Sequence, residues 1–182
     1  LKLYKKVNLY LHEQNSIIGR VNLLILPFAK NIFINFKITT NIKKKFFNKQ
    51  VYAGLPSLKI LIKNKIKKNI SLEKKIIFIY GGSQGSTQLI NKFLLLLESI
   101  DKRFYSQIRL IIQSNKIMHK KLNDIFHSLN IDYEVKEFYK NINEILLITD
   151  LAITRAGAGT INDLVNYKIP SMIMPLSSAI QN

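Results

Sequence analysis

The chain has 182 residues, 47% of them hydrophobic, and carries 28 Lys plus Arg against 11 Asp plus Glu, a formal net charge of +17. That length suffices for one good core or two modest ones, and the lack of any cysteine excludes disulfides and thiolate metal sites and fits a reducing compartment. His12, His119 and His127 lack metal-ligand spacing, so no zinc or other metal site is expected, and the apolar run from Val21 to Phe28, broken by Asn22, falls far short of the ~20 residues that span a bilayer.

In chain order, Val7 to Leu11 reads as a strand that ends at the polar cluster His12-Glu13-Gln14-Asn15. A helical stretch follows through about Pro27. Asn31 to Asn35 and Val51 to Ala53 are short strands, and Gly54-Leu55-Pro56 breaks the chain. A lysine-rich stretch with an amphipathic part, Leu58 to Ile66, reads as a connecting helix and linker. From about Ser71 strands and helices alternate. The strands are Ile76 to Tyr80, Ile108 to Gln113, Tyr133 to Phe138, Leu151 to Thr154 and Ser171 to Met174. The helices are Thr87 to Ile100, Lys116 to Leu129, Ile142 to Ile148 and Thr160 to Tyr167. Such alternation predicts an α/β fold, a parallel sheet with helices on both faces.

Two loops of small residues carry the chemistry. Ile76 to Tyr80 is a buried strand that runs into Gly81, Gly82 and Gly85, and a helix opens just beyond. That layout sets unpaired N–H groups and the positive end of a helix dipole where an anion would bind, and glycine admits close approach to the main chain. The same layout is also simply a tight connection. The run is neither GxGxxG nor a P-loop, because no Lys-Ser or Lys-Thr follows. Asp150 to Thr154 then leads into Arg155-Ala-Gly-Ala-Gly-Thr160, a second such loop, and the two are expected to converge at the C-terminal edge of the sheet. Thr160 and Asp163 also read as a helix-capping pair.

The charge is uneven: residues 1–75 hold 17 Lys plus Arg against 2 Asp plus Glu, and residues 76–182 hold 11 against 9. A basic third of this kind suits an anionic membrane surface. Nucleic acid is not the expected partner, because the lysines are scattered through loops rather than interleaved with aromatics on one face.

The ordered set HEQN at 12–15, GLP at 54–56, GGSQGS at 81–86, EF at 137–138, TRAGAGTINDL at 154–164 and P-x-x-x-x-PL at 170–176 resembles one family from end to end. It is similar to the bacterial N-acetylglucosaminyltransferases that convert lipid I to lipid II in peptidoglycan synthesis. The resemblance implies a GT-B architecture of two Rossmann-like domains. Residues 1–56 would be the end of the acceptor domain, 57–70 a linker and 71–182 most of the nucleotide-sugar domain. Leu1 in place of methionine and the break after PLSSAIQN lead to the expectation of a fragment, with a glycine-rich GGTGGH-type block upstream and donor-contacting glutamines at or just beyond Asn182.

The resemblance also implies a donor, UDP-N-acetylglucosamine, an undecaprenyl-diphosphate-linked muramyl-pentapeptide acceptor, no cofactor, and a peripheral location on the cytoplasmic face of the bacterial inner membrane. Position by position, Ser83, with Gln84 beside it, matches the residue that reaches the donor diphosphate. Tyr139 matches a position whose backbone reads uracil. Ala158, Gly159, Thr160 and Asp163 match the block lining sugar and ribose, with Asp163 where the family carries a glutamate bonded to the ribose hydroxyls. Asn15 matches a position touching the donor sugar. The family usually has GNPVR where this chain has GLPSLK, so Leu58 replaces an arginine that binds the phosphates and Lys59 is its candidate substitute, as a point charge.

No DxD metal motif occurs, so the helix N-terminus and a hydroxyl are expected to stabilise the departing diphosphate. His12 and Glu13 are candidate bases by position, and each is equally a strand-end residue. Two other readings stay open: a nucleotide-binding fragment without activity, and another GT-B UDP-sugar transferase or epimerase.

Overall fold

The computed structural model describes residues 7–55, 74–81 and 86–175. The chain divides into two compact units, and each is built on its own parallel sheet.

The first unit has three strands in the order β1 (Tyr10–Glu13), β2 (Asn31–Ile34) and β3 (Gln50–Tyr52). β1 begins three residues later and ends two residues later than the sequence suggests. The polar pair His12 and Glu13 continues the strand opposite Phe33 and Ile34, because the buried Glu13 carboxylate finds its donors in the turn that follows. The helix after HEQN is correspondingly shorter. Ile17 is spent in a parallel bridge to Thr40, and Gly19 caps α1 (Arg20–Ile25) in extended conformation. A 3-10 turn, Leu26–Phe28, then completes the segment with Pro27 at its start. Ile18, Leu26, Ile32, Ile34 and Ile42 form the core. Lys49 closes the end of the α1 segment: its ammonium donates to the carbonyls of Leu26, Pro27 and Ala29 at 3.2, 3.0 and 2.6 Å.

In the second unit five parallel strands run in the order β6 (Asp132–Lys136), β5 (Ile108–Gln113), β4 (Lys75–Tyr80), β7 (Leu151–Arg155) and β8 (Ser171–Met174). The chain begins at the central β4, moves outward through β5 and β6, and returns to β7 on the other side. The order therefore reverses between β4 and β7, and in such sheets the crevice at the reversal, outside the carboxyl ends of the strands, is where ligands bind.

Alternation along each strand splits the core into two layers. Ile79, Leu110, Ile112 and Ile153 pack with α2 (Ser86–Glu98) and α3 (Lys116–Ser128) through Leu89, Phe93, Leu122 and Phe126. On the opposite face Ile76, Phe78, Tyr80, Ile111 and Ala152 pack with α4 (Ile142–Ile148) and α5 (Ala158–Tyr167) through Leu146 and Leu164. Helices thus cover both faces of a parallel sheet, the architecture expected from the sequence. Asp150 pins the centre of that sheet. Its carboxylate accepts from the Ile76 N–H at 2.8 Å while its own N–H donates to the Ile76 carbonyl at 2.9 Å. Asn115 caps α3 by accepting from the Met118 N–H at 3.2 Å and donates to the Thr87 hydroxyl at 3.1 Å, which ties α3 to the start of α2. The expected connecting helix at Leu58–Ile66 lies outside the described residues.

Candidate functional site

The second unit brings Gly81, where the first small-residue loop begins, and the loop after β7 to the reversal point. Tyr80 pairs with Thr154 in the β4–β7 ladder, so Gly81 and Arg155, the next residues, lie side by side at the carboxyl edge. A Cβ at Gly81 would stand 3.3 Å from Arg155 Cγ and 3.5 Å from Leu89 Cδ2. A side chain at this position would press on Arg155 and Leu89, so glycine leaves the edge room for both. Gly82, Ser83, Gln84 and Gly85 fall outside the described residues, as do Leu58 and Lys59.

Arg155 is the functional-edge residue that the sequence reading left without a role. It is 7% exposed, and its guanidinium donates to the Pro175 carbonyl at 2.8 Å and to Gln88 Oε1 at 3.2 Å. It thereby links the end of β7, the first turns of α2 and the loop after β8. Its one sequence signal is a lone cation closing an apolar strand run.

Ala158, Gly159, Thr160 and Asp163 all lie on α5. The helix begins two residues earlier than expected, with Gly157 as its cap residue and no side-chain capping bond. The reading of Thr160 and Asp163 as a capping pair is therefore corrected, since both stand inside the helix and a hydroxyl there cannot satisfy the leading N–H groups. Asp163 instead is half-buried, and burial pushes its carboxyl above the ordinary carboxylate range. Its negative charge bears on the hydroxyls of Tyr80 and Tyr167, both buried and, among the described residues, both without a hydrogen-bond partner.

Tyr139, just beyond β6, is 7% exposed. Its hydroxyl donates weakly to the Glu134 and Ile112 carbonyls at 3.3 and 3.4 Å, and its ring meets Phe78 edge-on at 5.9 Å. The side chain belongs to the core, so a ligand contact from this position is left to the main chain.

The first unit holds a separate cluster, in which His12, Glu13, Asn15, Gly19 and Arg20 line a cavity of about 320 Å³. Glu13 is 2% exposed, and its carboxylate accepts from Asn15 N–H (3.0 Å), Asn15 Nδ2 (3.2 Å), Gly19 N–H (2.7 Å) and Asn22 Nδ2 (2.9 Å). Burial alone would raise its pKa, but the donors from Gly19, Asn15 and Asn22 outweigh it and hold the group below its ordinary value. A carboxylate so occupied is a poor proton acceptor. His12 is exposed, with Nε2 3.2 Å from the Gly54 carbonyl. The Asn15 amide is turned toward Glu13. Among the described residues no cluster of His, Asp and Glu is arranged to hold a metal ion, and no described helix is long and apolar enough to cross a membrane.

Comparison with known proteins gives this edge a context. Residues 76–182 match the glycosyltransferase family 28 C-terminal domain. The whole chain is similar to enzymes named UDP-N-acetylglucosamine–N-acetylmuramyl-(pentapeptide) pyrophosphoryl-undecaprenol N-acetylglucosamine transferase. The Rickettsia bellii protein is 35% identical over 99% of this chain and 52% of its own length, and the Aquifex aeolicus protein 33% identical over 98% and 50%. The chain thus spans about half the length of the curated relatives it matches. Among solved structures, Acinetobacter baumannii MurG aligns with a TM-score of 0.69 at 20% identity over 96% of this chain and 47% of that one, a likeness of fold. With a parallel sheet whose order reverses between two small-residue loops, and a family match over everything from β4 onward, the chain belongs to glycosyltransferase family 28.

Proposed function

We propose that the chain acts within an inverting glycosyltransferase that moves N-acetylglucosamine from UDP-N-acetylglucosamine to an undecaprenyl-diphosphate-linked muramyl pentapeptide, and that its second unit holds the UDP of the donor. The observation that carries this is the pairing of β4 with β7, the strands that lead into the two small-residue loops, at the reversal of the sheet, within the stretch that matches the family 28 domain. As the acceptor hydroxyl attacks the anomeric carbon, negative charge builds on the leaving diphosphate. Helix N-termini and the hydroxyl of Ser83, with Gln84 beside it, offset that charge at no cost in reorganisation. Asp163 accepts from the ribose diol, Ala158, Gly159 and Thr160 line the sugar, and the backbone at Tyr139 reads the uracil edge. Asn15 is assigned to the donor sugar, and Lys59 to the phosphates as a point charge.

The membrane side of this proposal rests on the basic first third and on Val21 and Leu24, one turn apart on α1 and both exposed. Together they suit peripheral docking on an anionic bilayer at the cytoplasmic face of the inner membrane. A second reading, nucleotide binding without turnover by these residues alone, is favoured by Glu13, whose carboxylate is fully engaged in its own turn.

Titration calorimetry of the chain with UDP, ADP and GDP tests the donor assignment. Saturable uptake of UDP alone is expected. Equal uptake of all three, or none of UDP, overturns it.

A further inference from the structure

We propose that Tyr80 and Tyr167 are positioning residues that donate their phenol hydrogens to the Asp163 carboxylate and so aim it at the ribose diol of a bound ribonucleoside diphosphate. This rests on the reading of Asp163 given above. Tyr80 is the last residue of β4, at the point where the sheet order reverses, and is 5% exposed. Its ring stacks on Phe78 at 4.3 Å with 7° between the planes, which fixes the phenol beneath α5. Tyr167 follows Asp163 by four residues on α5 and therefore shares its helix face.

Among the described residues neither phenol hydroxyl has a hydrogen-bond partner, although both are buried. A buried donor left unmade is costly. Among the described residues no donor bonds to the Asp163 carboxylate either, and its charge is felt at both hydroxyls. Two buried hydroxyls without an acceptor thus lie within reach of the charge of a carboxylate without a donor. Turning the Asp163 side chain inward pairs them and leaves its outer lone pairs for the diol.

Among the described residues no other ionisable group acts on Asp163. α4, packed beside α5, turns Ile142, Ile145 and Ile148 to this layer. Its acid, Glu144, lines a separate cavity with Arg109 and Glu134. Ala152 and Thr154 are what β7 contributes on the same face. Burial alone raises the Asp163 pKa, whereas donors to the charged form lower it. The tyrosines therefore widen the pH range over which Asp163 is a carboxylate.

The test is UDP titration of the chain, in parent form and as Tyr80→Phe, Tyr167→Phe, Asp163→Asn and Tyr80→Phe/Asp163→Asn, from about pH 4 to pH 8. Phenylalanine keeps the packing and removes only the donor. Each tyrosine variant is expected to bind UDP about tenfold more weakly, and its affinity should begin to fall at a higher pH than the parent's. The double variant should be no weaker than Asp163→Asn alone, because the tyrosine acts through the carboxylate. Parental affinity and an unmoved acid limb in both tyrosine variants, beside a weakened Asp163→Asn, overturn the inference and spare the ribose reading. So do losses that add to that of Asp163→Asn. Parental affinity in Asp163→Asn overturns the ribose reading itself, and the inference falls with it.

Discussion

Glu13 shows how one residue can be read in two ways from the chain and in one way from its surroundings. In HEQN it stands where a base could stand. Folded, its carboxylate gathers the main-chain N–H of Gly19 and both nitrogens of Asn15, with the Asn22 amide completing the set. It lets a polar strand end turn into α1 without an orphan donor. Glu13→Ala would leave the part-buried N–H groups of Asn15 and Gly19 without this acceptor, and a loss on the order of 1 to 3 kcal/mol is expected from urea denaturation followed in the first unit. The pH dependence follows from the lowered pKa. The folded state holds the proton less tightly than the unfolded one, so the contribution is fully present above the ordinary carboxylate value of 4.5 and disappears as pH falls through the depressed folded value. If Glu13→Ala unfolds at the parent's urea midpoint at pH 7, the turn does not depend on this carboxylate.

Among the elements, those bounded by polar residues and built from apolar runs were legible. Ile108–Gln113, Ile142–Ile148 and Ser171–Met174 form the strands and helix expected of them, at the expected residues. What escaped the sequence was decided by partners distant along the chain. β1 extends through His12 and Glu13 because β2 pairs with them, and α1 starts late because Ile17 bridges to Thr40. The 3-10 turns at Lys44–Lys49 and Lys102–Gln107 have no apolar period to announce them. Arg155 and the Tyr80–Asp163–Tyr167 group need the fold, since nothing local joins β4 to α5. The end of α5 carries a local conflict that the sequence does not display. Lys168 takes φ 54° and ψ 46° there, so that the Ile169 N–H can reach the Leu164 carbonyl at 3.0 Å. Left-handed backbone costs a residue with a Cβ about 1 to 2 kcal/mol, and this position is one that helices commonly give to glycine. Lys168→Gly should stabilise the second unit by roughly 0.5 to 1 kcal/mol once glycine's greater freedom in the unfolded chain is subtracted, seen as a higher urea midpoint. A lower midpoint would mean that the lysine stem contributes packing worth more than the strain.

For the molecule as a whole, charge is spread unevenly along the chain. The residues up to 75 carry 17 cationic side chains against 2 anionic ones, whereas the remainder is nearly balanced at 11 against 9. These cations are not equivalent. Lys49 has its ammonium spent on three carbonyls of its own unit, while Lys43, Lys44 and Lys45 are consecutive and exposed beside the exposed Phe47. Under the membrane proposal each exposed lysine near an anionic bilayer contributes on the order of 1 kcal/mol, screened over roughly a Debye length. Replacing Lys43, Lys44 and Lys45 together by glutamine should therefore weaken cosedimentation with phosphatidylserine-containing vesicles by about two decades, and raised salt should weaken the parent in the same direction. Lys49→Gln should act differently, lowering the stability of the first unit through the three carbonyls it abandons while leaving vesicle binding of the folded protein unchanged. The proposal fails if the parent binds neutral and anionic vesicles alike, or if the triple variant keeps the parent's affinity, because the positive charge of this third would then be a property of composition and not a surface for lipid.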